Sequence, residues 1–335
     1  MPNKATAYSI LDLAIISKGK SLRETFDDTL TIAQLAEAEG YSRYWLAEHH
    51  NSEAIGSSAT SILIGKIAEG TSNIRVGSGG IMLPNHSPLI VAEQFGTLGT
   101  LYPNRIDLGL GRAPGTDQAT ASAIRSDFYE AAMSFPKEVQ KIQNYFSVEN
   151  ATSKVRANVA EGVPVPLYIL GSSTASARLA AEKGLPYAFA SHFASAQLID
   201  AFEIYHRDFQ PSNVLEQPFT IAGISIIIAD SDAEAEFLST SYYERVIGLL
   251  TGVRGQMIAP FEMSDQLREV IKQPAVQQMT KYAFIGSKQT VKKRIKDFIE
   301  TTQADELIAI SNVYSTQDRI KSFTLFAEIM SELKQ

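Results

Sequence analysis

The chain has 335 residues, no cysteine and a formal net charge of −7; 44% of its residues are hydrophobic and 20% charged, the balance of an ordinary folded protein. The length allows one α/β barrel or two or three smaller domains, and zero cysteine excludes disulfides, thiolate metal sites, cysteine-ligated iron–sulfur clusters and a cysteine nucleophile. The acidic balance speaks against nucleic acid as a partner. The apolar run Ala222–Ala229 falls far short of the roughly 20 residues a membrane span needs, and Asp12 interrupts the only apolar stretch where a signal peptide would lie. A soluble, cytoplasmic protein is expected.

Short apolar runs alternate with amphipathic ones. Ala7–Ala14 reads as a strand. Ser21 and Glu24 then form an S-x-x-E capping box, and Phe26, Leu30, Ala33 and Glu37 follow at helical spacing up to a stop at Gly40. Arg43–Ala47, Ile74–Leu83 and Arg105–Leu110 read as the next strands, with helices over Ser58–Glu69, Ser87–Leu101 and Ile124–Phe146, the last with a possible break near Pro136. Pro166–Leu170 and Tyr187–Ala190 are the fifth and sixth strands, each followed by a helix (Thr174–Lys183, Ala194–Phe209). Thr220–Ala229 is the seventh and Glu306–Ile310 the eighth, before a helix carrying Phe323, Phe326, Met330 and Leu333. Eight strand–helix alternations predict a single (β/α)8 TIM barrel over residues 1–335; a doubly wound sheet is the competing architecture. Residues 230–286 are too long for an ordinary connection. They form an insertion between the seventh and eighth strands, read either as a lid over the site or as a packed peripheral helix pair. The basic cluster Lys288, Lys292, Lys293, Arg294 and Lys296 reads as a solvated helix face, with Val291, Ile295 and Phe298 inward.

In such a barrel, chemistry gathers at the C-terminal ends of the strands. Those ends carry Asp12; Glu48-His49-His50; Gly77-Ser78-Gly79-Gly80; Gly111-Arg112-Ala113-Pro114-Gly115; Gly171-Ser172-Ser173; Ser191-His192; and Ser311-Asn312. The Gly171-Ser172-Ser173-Thr174 run between a strand and a helix would point backbone N–H groups and hydroxyls at an anion on the positive end of the helix dipole. Arg112 on the neighbouring strand end could clamp the same phosphate through its forked donors. The alternative is that Ser172 or Ser173 merely caps the helix. Gly79 and Gly80 make sense inside a strand if a bulge or a flat ligand ring needs the space, or if the barrel packs tightly there. His49 and His50, adjacent in sequence, should diverge and so not share a metal; no metal site is expected. One of them could act as a general base in the mouth, with His192 a weaker candidate.

Three segments together resemble the bacterial luciferase-like flavin monooxygenases: Tyr44-Trp45-Leu46-Ala47-Glu48-His49-His50, Val76-Gly77-Ser78-Gly79-Gly80-Ile81-Met82-Leu83-Pro84 and Asp107-Leu108-Gly109-Leu110-Gly111-Arg112. The Gly-Arg-Ala-Pro-Gly run is similar to that of one uncharacterised subgroup of luciferase-like oxidoreductases. The resemblance implies a TIM barrel binding reduced FMN, or F420 in one branch. It implies a non-proline cis peptide at Gly79-Gly80 against the flavin ring, Arg112 with Gly171, Ser172 and Ser173 on the phosphate, and His49 as the catalytic histidine. It further implies a two-component monooxygenase: a separate flavin reductase supplies FMN, O2 is consumed, and a small organic substrate of the aldehyde, ketone or alkane class is oxidised, by a homodimer. Alternatives are an F420-dependent dehydrogenase and a non-catalytic flavin-binding protein. Where luciferase carries a reactive cysteine beside the arginine, this chain has Gly111, so light emission is not implied.

Overall fold

The computed structural model of the chain describes residues 5–253 and 255–334. Its strands are β1 (Ala7–Asp12), β2 (Arg43–Leu46), β3 (Arg75–Met82), β4 (Ile106–Gly111), β5 (Leu167–Gly171), β6 (Tyr187–Phe189), β7 (Thr220–Ala229), β8 (Ala283–Ser287) and β9 (Glu306–Ile310). All pairings among them are parallel. The ring runs β1 to β7, then β9, and closes on β1, with helices between the strands. This is the expected TIM barrel, and the eight strands read from the sequence are its staves.

The ninth strand is the difference. The segment 230–286 was expected to hold helices and loops; its end is β8, which pairs outside the ring with the far half of β7. Ile221–Ser225 of β7 pair with β9, and Ser225–Ala229 continue onto β8. The seventh strand is therefore long, and buried along its whole length, because it serves two neighbours in succession. The rest of the segment is the helix Asp232–Thr251 and two short helices, Asp265–Ile271 and Pro274–Met279. Ala235, Leu238, Tyr242 and Val246 of the long helix pack with Ile227, Val276 and Ala283 in a core of their own. The region expected as one broken helix is three, Gln118–Ile124, Phe128–Met133 and Phe135–Phe146. Its breaks lie at Arg125–Asp127 and Ser134, ahead of Pro136, which sits near the start of the third helix where its missing N–H costs nothing.

Alternation along the strands separates two apolar layers. Tyr8, Ile10, Tyr44, Leu46, Val76 and Leu108 pack against the outer helices. Leu11, Trp45, Ala47, Tyr168, Ile221, Ile308 and Ile310 fill the lumen. Glycines on β3 and β4 make room for these side chains. A Cβ on Gly79 would lie 2.6 Å from Leu11 Cδ1, and one on Gly109 only 2.3 Å from the Ser78 carbonyl. The β3–β4 register shifts between Ser78 and Ile81, and the Gly79–Gly80 peptide is cis, so a bulge and tight packing both account for the glycines.

The lumen floor is polar. Arg43 of β2 donates through Nε to Glu306 (2.7 Å) and through Nη1 to Asp107 (2.8 Å) and the Tyr168 hydroxyl (2.7 Å). Trp45 Nε1 also donates to Asp107 at 3.0 Å, and Ser9 donates to Glu306. One guanidinium thus joins β2, β4, β5 and β9, and Ser9 adds β1 through Glu306. Replacing Arg43 by Met is expected to cost about 3–5 kcal/mol, the scale of stranding a buried charge partner, read from urea unfolding; a loss under about 1 kcal/mol would show that the network contributes no more than a surface pair.

Candidate active site

Glu48, just beyond β2, is buried and acts as a hub. Its Oε1 accepts from His50 Nε2 (2.7 Å), His86 Nε2 (2.8 Å) and Asn85 Nδ2 (3.2 Å), and its Oε2 from the Met82 backbone N–H (3.0 Å). Burial pushes the carboxyl up, but the histidine and asparagine donors outweigh it and hold it at about 2. His86, which the sequence does not mark, joins His50 on this carboxylate. The Glu48, His50 and His86 ligand atoms lie within 4.8 Å of one another, a spacing that a cation could bridge. The hydrogen bonds already satisfy both carboxylate oxygens and tie the end of β2 to the turn after β3.

His49 diverges from His50, as adjacency requires. The turn after β4 folds back over it: Gly115 has φ +63°, and a Cβ there would meet the Glu48 carbonyl at 2.6 Å and His49 Nδ1 at 3.4 Å. Burial lowers the His49 pKa and the Arg245 charge lowers it further, against the Gly115 and Glu48 carbonyls, which favour the charged ring. His192, beyond β6, lies against Gly223 of β7, whose added Cβ would meet its Nδ1 at 2.6 Å. Burial first, then His49, pushes His192 down to about 3. Its Nδ1 is buried without a partner among the described residues, as are Ser311 Oγ and Asn312 Oδ1 beyond β9. Ser191 is engaged, donating to the Gly223 carbonyl at 2.6 Å.

Arg112 follows Gly111, which pairs with Leu170, so it stands across from Gly171 on the adjacent strand end. It is exposed and makes no hydrogen bond or ion pair among the described residues. Ser173 occupies the N-cap of the helix Thr174–Glu182, but its side chain makes no capping bond. The Thr174 N–H is taken by Gln197 Oε1 at 3.1 Å. Capping therefore does not explain Ser172 and Ser173. They line a cavity of about 540 Å³ with Phe193, Gln197, Leu250 and Gln278. Gly171 is explained by packing, since a Cβ would fall 1.9 Å from Ser176 Oγ. Asp12 is spent on structure: burial raises its carboxyl, but Arg319, Tyr44 and the Ala14 N–H outweigh that and hold it low.

A luciferase-like monooxygenase family model matches residues 7–306. The chain belongs to the luciferase-like monooxygenase family. It is 46% identical to the luciferase-like monooxygenase of Escherichia coli K12 over 99% of both chains. It is 30% identical to the N-acetyl-S-alkylcysteine monooxygenase of Bacillus subtilis, over 98% of this chain and 94% of that one. Among solved structures, apo-MsnO8 superposes with a TM-score of 0.89 at 29% identity, covering 97% of this chain and 98% of that one. Two more distant structures share the fold alone. The oxygenating constituent of the Pseudomonas putida 3,6-diketocamphane monooxygenase, in complex with FMN, has a TM-score of 0.72 at 18% identity, and covers 98% of each chain. An F420-dependent secondary alcohol dehydrogenase has 0.70 at 15%, over 97% of this chain and 99% of that one. No helix among the described residues is long and apolar enough to cross a membrane.

Sequence reasoning missed Arg245, on the helix Asp232–Thr251. The signal was present: Leu238, Tyr242 and Arg245 fall at i, i+4 and i+7, on the face that buries Leu238 and Tyr242. An arginine at a core-facing helical position is out of place unless it has a task.

Burial lowers both His49 and His192, so the folded chain keeps them neutral where the unfolded chain already takes up protons. Their stabilising contribution is present above about pH 6.5 and is lost as pH falls, for His192 down to about 3. Each withheld proton adds about 1.4 kcal/mol per pH unit to that slope. His192→Gln is expected to flatten the stability profile between about pH 6 and pH 4, measured by denaturation at stepped pH; an unchanged slope would mean that folding does not shield this ring from protons.

Proposed function

We propose that this chain is the oxygenase of a two-component system. FMN reduced by a separate flavin reductase would bind in the barrel mouth, and with O2 the enzyme would oxidise a small organic molecule. The observation that carries this reading is an exposed Arg112, unpaired among the described residues, across from two hydroxyls, Ser172 and Ser173, that their own helix does not use and that line a cavity of about 540 Å³. Hydroxyls and a forked cation at a helix N-terminus are a donor set that suits a flavin phosphate. Gly79 and Gly80 would lie along the ring. Reduced flavin, when bound, supplies the electrons that activate oxygen.

The chain's own residues supply the rest. His49, held neutral by burial and by Arg245, would accept or return a proton beside the reacting atoms. The helices of segment 230–286 contribute Leu250, Ala275, Gln278 and Met279 to the wall of the cavity beside Ser172 and Ser173, where they would cover a bound phosphate. The substrate class stays with the aldehydes, ketones and alkanes, to which the name of the Bacillus relative adds thioethers that carry a carboxylate. We further take the enzyme to be a cytoplasmic homodimer joined through the outer helices, where Ile62, Ile90 and Leu101 are exposed. The second reading, an F420-dependent dehydrogenase, is favoured by the shared fold of the secondary alcohol dehydrogenase. There His49 would move a proton beside a hydride transfer. A flavin-binding protein without turnover is the third.

Anaerobic titration with reduced FMN and with F420 separates these readings. Tight binding of reduced FMN, with oxygen uptake that an organic substrate couples to product, supports the oxygenase. Binding of F420 alone moves the assignment to the dehydrogenase, and binding without turnover of any substrate leaves the third reading. Arg112→Ala should weaken FMN binding by about 1.5–3 kcal/mol, the scale of a hydrogen bond to a charged group; an unchanged dissociation constant would remove Arg112 from the phosphate site. His49→Ala should keep FMN affinity within about twofold and lower turnover by roughly 10²–10⁴-fold, so a full-rate variant removes His49 from the chemistry.

A further inference from the structure

The polar groups around the mouth fall into two sets. The acids are engaged: Asp12 with Arg319 and Tyr44, Glu48 with His50, His86 and Asn85. The basic groups over the lumen are not. Arg245 projects from the core-facing side of the helix Asp232–Thr251 and is partly buried. It has no hydrogen bond or ion pair among the described residues. The groups it faces are His49, whose charge it opposes, and through His49 the ring of His192, whose Nδ1 is an orphan.

A guanidinium cannot shed its proton. Burial therefore does not relieve it; it only raises the cost of the charge. Removing a cation from water without a partner costs several kcal/mol, and a methionine of similar length would fill the same space without that cost. A partly buried arginine beside His49, with no counter-ion among the described residues, is thus half of an ion pair, and the missing half is an anion brought by a ligand. Arg112 with Ser172 and Ser173 accounts for the phosphate of a flavin at the β4 and β5 ends. Arg245 instead stands with His49 and His192, from β2 and β6, where a substrate would react.

We propose that Arg245, beside His49, receives the carboxylate of the organic substrate and so selects carboxylate-bearing molecules. The forked donors of arginine match the two oxygens of a carboxylate. This rests on the oxygenase reading for its reaction but not for its anion.

The test is calorimetric titration of the full chain with N-acetyl-S-benzylcysteine and with its carboxamide, alongside FMN. The wild type is expected to bind the acid at least tenfold more tightly than the amide. Arg245→Met should bring the two within about twofold without lowering stability in urea, since it removes an unpaired charge. Arg245→Lys should keep part of the preference. Equal affinity of the wild type for acid and amide, including no measurable binding of either, overturns the proposal, as does a preference that survives in Arg245→Met. If Arg245→Met leaves the acid preference intact but weakens FMN tenfold, the anion is the flavin phosphate and the substrate assignment fails. An acid preference that disappears with Arg245, in a wild type that does not bind FMN, upholds the anion site and removes the oxygenase reading.

Discussion

The guanidinium of Arg43 sets the closure of the barrel. Lumen strands can be held in register by apolar packing alone, but such packing is forgiving: a slip of one residue exchanges lumen and outer faces. A buried ion pair is not forgiving, because a slip strands charges that cost several kcal/mol each. Arg43 reaches Glu306 on β9, Asp107 on β4 and Tyr168 on β5 at once, and its guanidinium sits 5.6 Å from the Trp45 ring centroid and 5.2 Å from that of Tyr168. Arg75 adds a second cation to Asp107. These contacts span the ring, so they fix which strands face each other across it. That orientation in turn brings the ends of β2, β4, β5 and β6 into one mouth.

Floor and mouth differ in a way that assigns them different work. On the floor nearly every charged atom has a partner; Glu306 Oε2 is the exception. At the mouth, Arg112, Arg245, His192 Nδ1, Ser311 Oγ and Asn312 Oδ1 have none among the described residues. Buried polar atoms without partners are destabilising, and the helix Asp232–Thr251 carries two more, Ser241 Oγ and Tyr242 Oη.

Much of this was legible in the sequence. Strand ends could be read because alternation and glycine punctuation mark them, and the three motif segments name His49, Gly79, Gly80 and Arg112 directly. The capping box at Ser21 and Glu24 formed as written, with both reciprocal hydrogen bonds. What could not be read depended on contacts distant in sequence. β8 is short, and its partner is the far half of β7, so nothing local distinguishes it from a loop. Whether Ser173 caps its helix depends on Gln197, from the next loop along, which takes the Thr174 N–H. The Glu48 hub needs His86, a residue that means nothing until β3 is placed beside β2.

Arg245 shows why a residue in the insertion can govern specificity while the barrel governs chemistry. The barrel's rim is set by strand register and, through the floor network, cannot shift without unfolding. The helix Asp232–Thr251 packs with β7, β8 and the helix Pro274–Met279 in a separate small core. Substitutions there alter the cavity wall without disturbing the register of the ring. A cation carried on that helix can therefore be lost, replaced or moved by a turn while His49, Arg112 and the serines keep their places. On the proposed reading, selectivity for the organic substrate sits on an element with a core of its own, and the phosphate of the cofactor on the strand ends.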